Sequence, residues 1–281
     1  MSNRKEEVRS LLRLTPEEVI EKAGDKLIVC NNLDELHRRF AEDIVTEIIG
    51  NNTKNLSIRL ILPIGPTGQY PILVKIIKEK NISLENCWFF FMDEYCDEEG
   101  KVLPETHPLS FKRIAKTLFL DHVKENEVQL NQVFIPNEVN IKQLTKTINK
   151  IGGIDTCFGG IGIHGHIAFN EPEQGIAEKG LRRVRLNDYT IIINAIRAQI
   201  GGNLENFPRY AYTLGMREIL NSRKIRLYCR NGTSFNWANT ILRIALFGAP
   251  GDDYPVTHIR NHPNYVIITD KDTLATPINI L

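Results

Sequence analysis

The sequence predicts an α/β protein: a Rossmann-like, mostly parallel sheet with helices on both faces, built as a single domain. Three observations predict it. Short apolar runs alternate along the chain with segments whose apolar residues recur at helical spacing, the signature of strand–helix–strand units. Those runs are nearly continuously apolar, as in strands buried on both faces. A length of 281 residues suits one large sheet better than two full domains.

Residues 1–25 read as an N-terminal extension. Within it Thr15-Pro16-Glu17-Glu18 is a helix start, with Thr15 as N-cap and Glu18 closing a capping box. Lys26 to Cys30 reads as the first strand. Leu33, Leu36, Phe40, Ile44, Val45 and Ile48 fall on one helical face, so Asn32 to Ile49 is an amphipathic helix. A strand over Ser57 to Leu62 runs into the loop Pro63 to Gly68 and a helix over Pro71 to Lys80. Cys87 to Met92 is a buried strand that ends abruptly at Asp93-Glu94-Tyr95. A helix follows over Pro108 to Leu118, a short strand at Val133 to Ile135, and a helix over Val139 to Ile151. Asp155 to Gly160 is a strand entering a glycine-rich loop. Later strands are read at Thr190 to Ile193, Ile225 to Cys229 and Tyr265 to Thr269, with a helix over Asn236 to Phe247. No internal repeat or low-complexity linker divides residues 26–281.

Composition narrows the function. Lys plus Arg number 35 and Asp plus Glu 34, a net charge of +1, which gives no general field for nucleic acid or an anionic membrane. Apolar residues at 42% and charged residues at 25% are ordinary globular values and exclude extensive disorder. No apolar run approaches the ~20 residues of a membrane span. The five cysteines, Cys30, Cys87, Cys96, Cys157 and Cys229, are odd in number and never spaced as CxxC. They read as buried reduced thiols rather than a disulfide framework or zinc site. Met1 to Arg13 is charged and lacks a signal core, so a reducing cytoplasm is expected.

Three strand ends carry the chemistry, and in such sheets ligands bind at the carboxyl ends of strands. After Leu62, Gly65-Pro66-Thr67-Gly68-Gln69 precedes a helix, and turning backbone N–H groups at a helix start suit a phosphate. After Met92 stand two adjacent carboxylates, Asp93 and Glu94; partial desolvation at such an edge makes a better base, whereas a capping pair is the plainer alternative. After Phe158 a loop of glycines holds His164, His166 and Glu171. This set reads either as three metal ligands or as a histidine oriented by a carboxylate for acid–base work. Trp88 and Phe89 to Phe91 read as core rather than a base-stacking platform. Lys179, Arg182, Arg183 and Arg185 read as a solvated face, and His258-Arg260-His262 as an ordinary connection between Pro255 and Pro263.

These residues resemble the glucosamine-6-phosphate deaminase family. The resemblance rests on FxMDEY ending at Tyr95, Thr106-His107-Pro108-Leu109-Ser110, Pro66 to Pro71 in place of PTGxxP, and GIGxxGHIAFNEP over Gly160 to Pro172. It spans roughly Leu27 to Asp270. The GHIAFNEP string separates this family from the 6-phosphogluconolactonases, which share its fold. The resemblance implies a sugar-phosphate domain over 26–281 with no metal and no organic cofactor. It implies aldose–ketose isomerisation of a phosphorylated amino sugar with loss of ammonia, by a homo-oligomer. By match, Asp93 shuttles the proton between C2 and C1, and His166, oriented by Glu171, opens the sugar ring. Pro66, Thr67, Gly68, Gln69 and Glu94 belong to the substrate and phosphate site. Arg197, allowing a one-residue insertion, is the phosphate arginine.

Four departures surround the same pocket. His164 stands where the family pattern has an aspartate, which makes His166 harder to protonate. The family's phosphate lysine is missing from Arg230-Asn231-Gly232-Thr233-Ser234, where Arg230 lies about three positions early. Gln69-Tyr70 replaces a small glycine–threonine pair, and Phe111 lacks a phenol. Such a site belongs to an enzyme for another phosphorylated sugar, to a related enzyme such as a lactonase, or to a catalytically altered sugar-phosphate binder.

Overall fold

The computed structural model describes residues 3–231 and 236–281. Its main sheet has seven strands, all parallel: β1 (Leu27–Cys30), β2 (Ile58–Leu62), β3 (Cys87–Phe91), β5 (Val133–Phe134), β6 (Thr156–Gly160), β9 (Lys224–Tyr228) and β10 (Tyr265–Asp270). Their spatial order is β1-β10-β9-β6-β2-β3-β5. Strand β4 (Asp93–Cys96), β7 (Arg182–Arg185) and β8 (Tyr210–Thr213) form a second, antiparallel sheet in the order β4-β8-β7.

Alternation along each strand builds two cores. Ile61, Phe90, Cys157, Leu227 and Ile267 face one layer of helices; Leu60, Phe89, Phe158, Tyr228 and Ile268 face the other. The second layer is α3 (Leu33–Asn52), α4 (Gln69–Glu79) and α5 (Phe111–Leu118), where Phe40 stacks on Tyr228 at 3.6 Å between ring centroids. The first layer includes α6 (Ile141–Lys150), α8 (Met216–Leu220) and α9 (Ala238–Phe247). Helix α10 (Lys271–Leu274) follows β10 directly.

The N-terminal segment forms α1 (Arg4–Leu12) and α2 (Pro16–Ala23), the second with both bonds of the Thr15–Glu18 capping box. Val19 and Ala23 enter the first core, and the backbone carbonyl of Leu14 accepts from Arg243 of α9.

The strand read at Thr190 to Ile193 is corrected: it lies inside α7 (Asp188–Arg197). Its β-branched residues favour strands locally. The Asn187 side chain, however, accepts from the backbone N–H of Thr190 and starts a helix. Ile191 and Ala195, one helical turn apart, then pack into a third small core with Tyr95, Phe169 and Phe207 beneath the antiparallel sheet. The sequence reading also missed β4, β7 and β8, which are four residues each, and the helices α1 and α8.

Among the described residues no helix is long and apolar enough to cross a membrane. All five cysteines are buried and unpaired, and burial pushes the Cys30 thiol up to about 11 and the Cys87 thiol up to about 12.

Candidate active site

From β2 the chain builds outward through β3 to β5, then returns beside β2 as β6 and builds the other way through β9. The reversal leaves a crevice at the carboxyl ends of β2, β6 and their neighbours. An open cleft occupies it, lined from five directions: Pro63 to Pro66 after β2, Met92 and Asp93 after β3, Gly160 to Gly162 with His166 after β6, Asn194 and Arg197 from α7, and Tyr228, Arg230 and Trp237 around β9.

Asp93 sits where the chain passes from the large sheet to the small one. The Met92 N–H donates to Leu62, and the Met92 carbonyl accepts from Leu214, so the crossing is tied to both sheets. Asp93 is only 6% exposed. Burial, with the charge of Glu94 adding, pushes its carboxyl well above the usual carboxylate range. A base held there takes a proton more avidly than an exposed aspartate does.

Glu94, expected at the substrate site, turns the other way. Adjacent strand residues point to opposite faces. Its carboxylate accepts from the N–H groups of Phe111 (2.9 Å), Lys112 (2.7 Å) and Tyr95 (2.9 Å), and from the Ser110 hydroxyl (3.1 Å). It anchors the start of α5, where orphan N–H groups and the helix dipole favour an anion.

Gln69 also turns away from the cleft. It is fully buried, and its amide donates to the Pro66 carbonyl at 2.7 Å, turned into the protein. Tyr70 is also enclosed, its hydroxyl donating to Pro63 at 2.5 Å, so its bulk fills the core rather than the cleft. Pro66 lines the cleft, while Thr67 and Gly68 are half-buried beyond it. Gly68 is needed for close approach: a Cβ there would strike the ring of His37.

The loop after β6 is braced throughout. Gly162 donates to the His166 carbonyl and Val256 to that of Gly165. Asn170 donates to Ile167 and Leu214 and accepts from Arg182. Arg182 therefore supports the site from the stretch read as a solvated face. Gly165 adopts φ +66° and Ala168 φ +53°, a left-handed conformation that costs a non-glycine residue roughly 1 kcal/mol.

This turn brings His164 and His166 to 5.9 Å between ring centroids. The His166 Nε2 edge lies over Gly162, where no Cβ would fit. Its Nδ1 is enclosed, and so is Oε1 of Glu171; neither has a hydrogen-bond partner among the described residues. Burial, then His164, then Arg197 push the His166 imidazole down to about 3, so it is neutral near pH 7. Burial holds His164 down and Glu171 up from their ordinary values. The other Glu171 oxygen accepts from the Asn187 N–H at 2.8 Å, and the Asn187 amide nitrogen lies 3.3 Å from Nδ1 of His164.

Two guanidinium groups complete the cleft. Arg197, exposed at the end of α7, lies 5.8 Å from the Trp237 ring centroid; Arg230 is half-buried after β9. Arg197 donates to Asn194 at 3.4 Å and Arg230 to the Asn231 carbonyl at 3.3 Å, and neither forms an ion pair with a carboxylate among the described residues. Gly232, Thr233 and Ser234, in the stretch searched for the family lysine, lie outside the described residues.

The structure thus brings together Asp93, His166, Arg197 and Pro66, with His164 and Glu171 behind His166. The sequence reading missed Asn187, Asn194, Tyr228 and Trp237. The Asn187 N-cap was the one local signal among them.

No family model matches the chain, but individual known proteins are similar to it. The chain is 30% identical over 256 residues to a glucosamine-6-phosphate deaminase of Thermoanaerobacter pseudethanolicus, covering 89% of this chain and 94% of the relative. It is 32% identical over 225 residues to one of Borrelia garinii subsp. bavariensis, covering 78% and 79%. Among solved structures it is similar to a monomeric glucosamine-6-phosphate deaminase, with TM-score 0.77, 25% identity, and 88% and 98% of the two chains covered. It shares its fold with a 6-phosphogluconolactonase from Thermotoga maritima, with TM-score 0.64 at 17% identity over 87% and 99% of the two chains.

Proposed function

The chain belongs to the glucosamine-6-phosphate deaminase family, and from that premise we propose that it isomerises and deaminates glucosamine-6-phosphate or a close relative. The products are the ketose phosphate and ammonia. The observation that carries this reading is the cleft itself, where a desolvated carboxyl, a neutral imidazole and two arginines line one crevice.

The substrate phosphate sits between Arg197 and Arg230, which hold it through charge-assisted bonds. Arg230 takes the place of the family's lysine. His166 passes a proton at the ring oxygen and opens the sugar. Asp93 then takes the proton from C2 of the open aldose while the C2 ammonium gives a proton to the C1 carbonyl oxygen, which becomes an enol, and Asp93 returns its proton to C1. The C2 amine is left as an iminium, which water hydrolyses to the ketone and ammonia. Asp93 starts and ends ionised, so the cycle balances.

The test is turnover of glucosamine-6-phosphate in deuterated water by the wild type and by Asp93→Asn. Wild type should release ammonia and yield a ketose phosphate labelled at C1. The variant should lose about 10²–10⁴-fold in kcat while still binding the sugar phosphate. Equal inertness of both proteins across a panel of aminohexose phosphates overturns the reading. A second reading, a non-catalytic sugar-phosphate binder, is favoured by His164, which adds to the difficulty of protonating His166. That same inertness, with retained binding, would establish it.

A further inference from the structure

From the contacts that close the connection between β9 and α9, we infer that Asn231 and Asp272 form a clasp that sets the spacing of Arg230 and Arg197 across the cleft. Asn231 is then a positioning residue for the substrate phosphate, a role that rests on the arginine pair as the phosphate holder.

The clasp grows out of the sheet. Strands β9 and β10 run side by side, the Cys229 N–H donating to Ile268 at 2.8 Å and the Thr269 hydroxyl to the Cys229 carbonyl at 2.9 Å. After β10 the Asp270 carboxylate accepts from the Thr273 N–H at 2.8 Å and starts α10 at once. After β9 the chain meets that short helix. The Asn231 N–H donates to the Thr273 hydroxyl at 2.8 Å, and the Asn231 amide nitrogen donates to the Asp272 carboxylate at 2.9 Å. The side-chain oxygen of Asn231 accepts from the Ala238 N–H at 3.1 Å. A single buried residue thus joins the start of the connection to its end, and both to α10. Asn239 repeats the tie from α9, donating to the carbonyls of Asp272 and Ala275.

Both arginines are reached from this residue. The Asn231 carbonyl accepts from Arg230 at 3.3 Å. Ala238 fixes its neighbour Trp237, whose ring centroid lies 5.8 Å from the Arg197 guanidinium. Burial, and then the charge of Arg230, hold the Arg197 guanidinium below its ordinary value, so the two cations feel one another. Like charges on long side chains drift apart into solvent unless something holds them. A phosphate gripped by two guanidinium groups needs both within reach at once, and fixing them beforehand removes ordering cost from binding. Asp272 is exposed and does not line the cleft, so its effect on phosphate must pass through Asn231.

The test measures Kd for inorganic phosphate by calorimetry, with KM and kcat for glucosamine-6-phosphate beside it. Asp272→Ala and Asn231→Ala should each raise Kd and KM about 3–10-fold, with kcat within about twofold. Asp272→Asn keeps an acceptor oxygen for the Asn231 amide and should stay close to wild type. In an Arg230→Ala background Asp272→Ala should add nothing, because the spacing no longer matters, whereas a general loss of structure would add its full effect. Cooperative thermal unfolding shows that each variant is folded, and where Asn231→Ala fails, the exposed Asp272 carries the test. Unchanged Kd in Asp272→Ala, an equal rise in Asp272→Asn, or a rise that persists without Arg230 overturns the clasp. The two readings fail separately. If Arg230→Ala leaves Kd unchanged, or wild type binds no phosphate, the phosphate assignment falls and the clasp with it; if Arg230→Ala weakens binding and the clasp variants do not, the clasp alone is refuted.

Discussion

Asp93 owes its basicity to the point at which β3 ends. Met92 lies between the two sheets; one residue on, Asp93 opens β4, buried beside Glu94 and lining the cleft. Its carboxyl stays protonated to a higher pH than a solvated aspartate, and the proposed mechanism needs it ionised. The kcat of the wild type should therefore fall as pH drops through a value well above the ordinary aspartate pKa of about 4. An acid limb at the ordinary value would contradict the role. Arg230 makes a complementary case. Its removal should weaken the hold on phosphate by about 2 kcal/mol, a roughly 30-fold rise in KM, with kcat little changed. Steady-state kinetics of Arg230→Ala checks this, and an unchanged KM would place the phosphate elsewhere. Both residues were visible in the sequence as residue types at strand ends. Their distances from one another were not, because they lie 137 positions apart in a chain that must cross the sheet between them.

At the scale of elements, β4 decides how two neighbouring carboxylates divide their work. A strand sends successive side chains to opposite faces, so Asp93 meets the cleft and Glu94 meets the start of α5. Glutamine in place of Glu94 keeps the size but removes the charge and one acceptor oxygen from four donors. Glu94→Gln should lower the unfolding free energy by about 1–3 kcal/mol, measured by denaturant titration; no change would show that the anchor is dispensable. The periodicity of β4 was hidden because all four of its residues are buried, which erases the polar–apolar alternation that marks a strand. Helix α7 shows the opposite failure. Thr190 to Ile193 looks like a strand because β-branched side chains suit one, but a cap at Asn187 and packing of Ile191 and Ala195 outweigh that preference.

At the scale of the whole molecule, Arg243 ties the chain ends to the body. Fully buried, it donates to the carbonyls of Leu14, Asn239, Leu274 and Ala275, joining the N-terminal helices, α9 and the C-terminal segment. Replacing it with methionine leaves the Leu14 and Leu274 carbonyls without a donor. Arg243→Met should destabilise the fold by about 3 kcal/mol or more while kcat changes little, read from thermal unfolding beside turnover. An unaltered melting temperature would refute the tie. By itself the sequence determined the order of the main-sheet strands along the chain, the buried character of those strands and the chemistry at their carboxyl ends. These are local properties, written in the spacing of apolar residues and in the residue types of three loops. Only the tertiary structure decided that the loops share one cleft, that Glu94 and Gln69 turn inward, that an antiparallel sheet supports Asp93, and that His164, His166 and Glu171 converge. Each of these depends on how far-separated segments pack, and a one-residue change of register or face, invisible in composition, reverses which side chain meets the cleft.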